Sequence, residues 1–108
     1  VLYATDSLVA RRNTVRRSSA TGLSATAGPD ASPILADNEV ENSGNDCILM
    51  SGGFVGQVSG NIARECGESG LRIRDTRVVV LDDVQVQRAN EPGVLATRVL
   101  RWTSQDVA

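Results

Sequence analysis

The apolar residues of this chain do not recur at helical spacing. They fall in short alternating runs, LSA, ILM, LRI and VLA, set between turns rich in Gly, Asn, Ser and Pro. Each run belongs to a longer segment that recurs: NTVRRSSATGLSA, NEVENSGNDCILM, NIARECGESGLRI and VQVQRANEPGVLA. These begin at Asn13, Asn38, Asn61 and Val84, in steps of 25, 23 and 23 residues. Nine residues after each start stands Gly22, Cys47, Gly70 or Gly93. An inner spacing that stays equal while the outer step varies marks a structural repeat.

Columns drawn through the repeat are apolar. Three positions before each start lie Ala10, Leu35, Val58 and Leu81, and two after it lie Val15, Val40, Ala63 and Val86. Ten and twelve after it come Leu23, Ile48, Leu71 and Val94, then Ala25, Met50, Ile73 and Ala96. All sixteen are apolar, where a composition of 41% hydrophobic residues would supply about six or seven. Between the last two columns run Ser24, Leu49, Arg72 and Leu95, the outward partners of a strand with one face in the core. The pattern predicts an all-β fold, a parallel β-solenoid of about four coils of 23–25 residues in which like residues stack. A helical repeat is excluded by the absence of any helix-length apolar period. In VVVLDDVQV the acids Asp82 and Asp83 are adjacent, so in a regular strand only one of them would face any given site.

Composition narrows the class. A chain of 108 residues suits a single domain spanning 1–108. Eleven basic residues against thirteen acids, with a net charge of -2 and a pI near 5.0, argue against a nucleic-acid binder. Arg11, Arg12, Arg16 and Arg17 make a local basic cluster that reads as a solvated face. Every basic residue is Arg and there is no His, which removes the most common general base. No stretch approaches the roughly 20 apolar residues of a membrane span. Cys47 and Cys66 fit no zinc spacing and are expected to be small buried hydrophobes rather than a disulfide. Neither VLYATDS nor VLRWTSQDVA reads as a capping helix, although Tyr3 and Trp102 near the ends could cover the stack. A solenoid with open ends is expected to be a segment of a longer one, or to meet further coils, a partner or a second subunit there.

The order of Asn turn, short strand, bend, then Gly and alternating apolar residues resembles the right-handed parallel β-helix repeats of the pectin-lyase-like superfamily, over about residues 8 to 100. The resemblance implies the right-handed sense and an extracellular or cell-surface setting. It also makes Asn13, Asn38 and Asn61 look like an asparagine ladder, in which amides bond from coil to coil at a turn where Asn tolerates left-handed backbone. Val84 interrupts that ladder. Within the superfamily, GNDCILMSG is similar to the GDDCIAIxSG of polygalacturonases, with Asn45 in place of the first catalytic Asp and Asp46 in place of the second. Ser69 stands where that family carries a His, and Thr21 where it carries another Asp. Glycosidic hydrolysis normally uses two positioned carboxyl groups, so this motif is degenerate for that chemistry.

Other acids offer an alternative site. Two places before the Gly/Cys column come Ala20, Asn45, Glu68 and Glu91, which sets Glu68 and Glu91 one coil apart, about 5 Å. Asp46 lies on the same edge, and Arg72 and Arg74 point outward from the strand beside it. Polysaccharide lyases of the superfamily use carboxylate-bound calcium with an arginine base, so the resemblance makes Asp46, Glu68, Glu91 and Arg72 the candidate catalytic set and calcium a possible cofactor. Arg72, Arg74, Ser24 and Leu49 form the candidate substrate-presenting surface. Ion pairing of Glu68 or Glu91 with Arg72 or Arg74 on a solvated face is the structural alternative. Three function classes follow. The leading one is a segment of an extracellular polysaccharide-associated β-helix that is not catalytic by itself. The others are a calcium-assisted uronan lyase, epimerase or hydrolase, and a structural solenoid of tail-spike or adhesin type.

Overall fold

The computed structural model describes residues 2–4, 9–28, 30–91, 93–97 and 101–107. The side chains of 2–4, 95–97 and 101–107 lie outside the described residues, and with them the roles expected of Tyr3, Leu95, Ala96 and Trp102. Among the described residues thirteen strands follow one another: β1 (Leu2–Ala4), β2 (Val9–Arg11), β3 (Thr14–Ser18), β4 (Leu23–Ala27), β5 (Ile34–Ala36), β6 (Glu39–Ser43), β7 (Ile48–Gly52), β8 (Val55–Ser59), β9 (Ile62–Cys66), β10 (Leu71–Arg74), β11 (Val78–Ala89), β12 (Val94–Thr97) and β13 (Arg101–Val107).

Every pairing is parallel and joins a strand to its counterpart one repeat away. Sheet A runs β1-β4-β7-β10-β12. Sheet B stacks β2, β5, β8, the first half of β11 and then β13, while sheet C stacks β3, β6, β9 and the second half of β11. The chain thus winds B, C, A, B, C, A as a three-faced solenoid. The segments starting at Asn13, Asn38, Asn61 and Val84 occupy successive coils.

The expected columns form the interior. Leu35, Val40, Val58, Leu81, Ile48, Leu71, Met50 and Ile73 are buried, with Val15, Val86 and Val94 packed partly against them. Registers Leu23↔Ile48↔Leu71↔Val94 and Ala25↔Met50↔Ile73↔Ala96 bear out the sheet A columns directly. Full burial of a Val, Leu or Ile side chain contributes about 1.5–3 kcal/mol, so these stacks dominate the favourable side of folding. The two extra residues of the 25-residue step lie in the connection between β4 and β5; in the shorter β7–β8 connection one coil later, Gly53 turns with φ of 99° and leaves no room for a Cβ beside Pro33.

The asparagine ladder is present at the corner between sheets B and C. Both the backbone N–H and Nδ2 of Asn13 donate to Asn38 Oδ1, at 3.0 and 2.9 Å. Asn38 repeats this to Asn61 Oδ1, at 3.1 and 2.9 Å. Nδ2 of Asn38 also donates to the Ala10 carbonyl and that of Asn61 to the Leu35 carbonyl, each three residues before the Asn of the previous coil. The left-handed backbone expected of the asparagines belongs to their predecessors instead: Arg12, Asp37, Gly60 and Asp83 have φ of 53°, 56°, 66° and 52°. The turn needs one residue with positive φ and, next to it, a buried side-chain amide; Asn serves the second need. Where Val84 replaces Asn, its buried isopropyl group joins the core and β11 runs on through the corner. Because Asp83 is left-handed, Asp82 and Asp83 are both exposed rather than pointing to opposite faces.

A second left-handed column, Arg17, Asn42, Glu65 and Arg88, lies within sheet C and is skipped by the pairing register, so each coil carries a stacked one-residue bulge. Beyond it, Cys47 and Cys66 form a disulfide with Cα atoms 5.3 Å apart, correcting the expectation of two free thiols. Their positions one coil earlier are Gly22 and Ser43, where a Cβ on Gly22 would stand 2.7 Å from Ser43 Oγ. Two columns of small residues therefore meet at the C-to-A corner, and where the second coil meets the third both members are Cys. Their burial was read correctly from the sequence; their approach across 19 residues was not.

Two outcomes are expected in urea unfolding. Asn38→Ala leaves the Ala10 carbonyl and the Asn13 N–H unpaired and should cost about 2–4 kcal/mol, whereas Asn13→Ala, at the exposed end of the ladder, should cost about 1 kcal/mol or less. Replacing both cysteines by Ala should lower stability by about 3 kcal/mol, the loop-closure term for a link of this span. Equal unfolding midpoints with and without reductant would show that the bridge contributes nothing.

Candidate functional site

The corner leading into sheet A carries the expected acids. Asn45, Glu68 and Glu91 stack through backbone bonds from Asn45 N to Ala20 O, Glu68 N to Asn45 O and Glu91 N to Glu68 O, at 3.3, 3.0 and 3.2 Å. The adjacent sheet A strands hold Ser24, Leu49, Arg72 and Leu95 in one register column, with Arg72 the second residue of β10. Parallel stacking therefore places Asp46, Glu68 and Glu91 around a single guanidinium.

The geometry within that group is unequal. Arg72 Nε lies 2.8 Å from Asp46 Oδ2, while its terminal nitrogen Nη2 lies 3.5 Å from Glu68 Oε2 and 3.9 Å from Glu91 Oε2. The Nε–H is not directed at Asp46, so the shortest contact is an ion pair rather than a hydrogen bond. Asp46 is held twice, because its Oδ1 accepts the backbone N–H of Ser69 from the next coil at 3.0 Å. Its side chain is only 7% exposed, against 42% and 46% for Glu68 and Glu91. Asp46 is a buried tie between coils, and the two glutamates flank the same cation from the solvent side.

The sequence placed the four residues together and missed who pairs with whom. Asp46 was set on the same edge as the glutamates, yet it is the main partner of Arg72. Arg74, at the exposed end of β10, makes no ion pair among the described residues, so the pairing considered for it is not found. Ser24 and Leu49 are half-buried on the outer face of sheet A, in the surface expected of them. Ser69, expected from the resemblance to stand at a His position, is fully buried, and its hydroxyl has no hydrogen-bond partner.

Calcium is poorly matched to this arrangement. The oxygens of Asp46, Glu68 and Glu91 face the Arg72 guanidinium, which fills the place a dication would need, and among the described residues no set of three or more His, Cys, Asp or Glu side chains could hold a metal ion.

The cavities lie elsewhere. One of about 220 Å³ is lined by Arg16, Arg17, Glu41 and Asn42, and one of about 380 Å³ by Asn42, Ser43, Glu65, Cys66, Gly67, Arg88 and Asn90. Both follow the bulges of sheet C and share Asn42, forming a polar furrow along the solenoid. The sequence signal for it was available only as residues of unlike type at one repeat position, four after each start. Cross-coil ion pairs line or border this face, Arg64 to Glu39 at 2.8 Å and Arg88 to Glu65 at 3.2 Å.

With this architecture in place, the chain falls in the class of parallel β-solenoids. A family model described as a right-handed beta helix region matches residues 1–107, and the chain belongs to that family. The right-handed sense implied by the resemblance is the sense of this family. No curated protein and no solved structure matches the chain.

Removing Arg72 should therefore act on stability before anything else. Arg72→Ala leaves the buried Asp46 without its cation and is expected to cost about 3–5 kcal/mol. Glu68→Gln and Glu91→Gln, at partly exposed pairs, should each cost under about 1 kcal/mol. Thermal unfolding of the three variants checks the order.

Proposed function

We propose that this chain is a non-catalytic segment of an extracellular β-helix that associates with an acidic polysaccharide through the outer face of sheet A. The observation that carries the non-catalytic reading is the closure of the Asp46, Arg72, Glu68 and Glu91 group. A lyase arginine must be free to take a proton from the sugar, and a hydrolase needs two carboxyl groups open to the glycosidic bond. Arg72 is engaged with three carboxylates, and Asp46 has both oxygens occupied. The absence of His leaves no ready substitute base.

Arg74 supports association with an anionic sugar. It is exposed at the end of the strand that carries Arg72 and has no ion pair among the described residues, so its guanidinium is available to a uronate carboxylate in bidentate geometry. Ser24 and Leu49 extend the same face across coils of about 4.8 Å spacing. The buried disulfide suits an oxidising compartment, which supports the extracellular setting. The furrow of sheet C supports a second location on the same molecule, since Arg16 and Arg17 line its cavity.

Calorimetric titration with oligogalacturonate, with and without calcium, tests this. Calcium-independent binding that is lost in Arg74→Ala and retained in Arg17→Ala is expected, with no turnover of the oligosaccharide. Loss in Arg17→Ala alone moves the binding surface to the furrow. Turnover abolished by Glu68→Gln would establish the enzyme reading instead, and no binding to any uronan would leave a structural solenoid.

A further inference from the structure

The outer face of sheet B is unlike the other two. The described residues with exposed large hydrophobic side chains are Val9, Val80 and Phe54, and all three lie on this face or at its border. Register runs Val9↔Ile34↔Gln57↔Val80 through the middle of the face, with Val55↔Val78 beside it. Inward neighbours Ala10, Leu35, Val58, Val79 and Leu81 are buried, so these outward residues are a second, separate apolar surface. A solvated strand face ordinarily carries polar side chains, whereas three of the four residues in this column are β-branched and apolar, with Gln57 the polar exception; such an apolar patch marks a surface that another molecule covers.

Charge along one border says what covers it. Where the sheet B strands end, successive coils present Arg11 and Arg12, then Ala36 and Asp37, then Ser59 and Gly60, then Asp82 and Asp83. The border is basic at the first coil and acidic three coils later, about 14 Å away. Arg11, Arg12, Asp82 and Asp83 are exposed and make no ion pair among the described residues. At the opposite border Arg77 is engaged, its guanidinium lying 5.2 Å from the centre of the Phe54 ring.

We infer that the outer face of sheet B docks a second copy of this chain about a two-fold axis parallel to the strands. That operation keeps strand direction and reverses the solenoid axis. It sets Val9 of each copy against Val80 of the other, Ile34 against Gln57, and Arg11 and Arg12 against Asp82 and Asp83, so the patch is complementary to itself. The left-handed φ of Asp83 contributes, because it turns both acids outward where a regular strand would show one. β2 and β5 bring three residues each and β8 and the first half of β11 five each, and these four strands, beyond which β13 continues the sheet, make a face of roughly 250 Å² per copy, about a third of the roughly 800 Å² of a standard interface, so the dimer is a weak one.

Sedimentation equilibrium of the whole chain from about 10 µM to about 1 mM tests this, the range in which so small an interface should associate. A monomer–dimer equilibrium without larger species is expected. Arg11→Glu and Asp82→Arg should each weaken it at least about tenfold, and the two together should restore it, because the charges exchange sides. Val80→Thr, which keeps strand preference, should also weaken dimerisation, while Arg77→Glu should leave it unchanged. Circular dichroism and the urea midpoint confirm that each variant is folded. A chain that stays monomeric throughout, a dimer indifferent to both charge reversals, or oligomers that grow beyond two through the strand edges would overturn the inference.

Discussion

Each residue in this fold stands about 4.8 Å from its counterpart one coil away, in register and parallel. Every position along the repeat must therefore tolerate a near copy of itself as its closest neighbour. Aliphatic side chains meet this condition readily, which is why the interior is built of Val, Leu, Ile and Ala columns. Asparagine meets it as well, because its amide carries both a donor and an acceptor and can bond to an identical group above. Charges do not meet it, and sheet C accordingly alternates: Arg16, Glu41 and Arg64 succeed one another in register, and Arg64 reaches back to Glu39.

The same constraint explains the candidate site. Glu68 and Glu91 are like charges stacked one coil apart, an arrangement that is unfavourable unless a cation lies between them. Arg72 supplies that cation and simultaneously neutralises the buried Asp46. The group of Asp46, Glu68, Glu91 and Arg72 is therefore occupied in holding coils together. The disulfide acts at the same C-to-A corner with the same effect, tying the second coil to the third. The left-handed residues, by contrast, repeat at fixed places regardless of type, since Arg, Asp, Asn, Glu and Gly all occupy them. Backbone geometry is imposed there by the coils above and below and offsets the strain of a side chain at positive φ.

Much of this was legible in the chain alone. The 25, 23 and 23 residue steps, the apolar columns and the asparagines at each start located the strands, the interior and the ladder, because each depends only on position within one repeat. The convergence of Asp46, Glu68, Glu91 and Arg72 was legible for the same reason: stacking converts equal repeat position into proximity. What escaped was anything that depends on the angle between faces. Cys47 and Cys66 occupy different repeat positions, and only the bend at the C-to-A corner brings them to 5.3 Å. Nothing in the run VVVLDDVQV distinguishes a regular strand from one that turns a corner at Asp83.

By itself, then, the sequence determined the period, the parallel stacking and the identity of the core, since hydrophobic burial and strand alternation are read along the chain. Tertiary structure decided the disulfide, the dominance of Asp46 over the glutamates in holding Arg72, the furrow of stacked bulges and the apolar outer face of sheet B. Each of these depends on three sheets meeting at corners, where residues from different repeat positions come into contact and a single left-handed residue sets the direction of its neighbours.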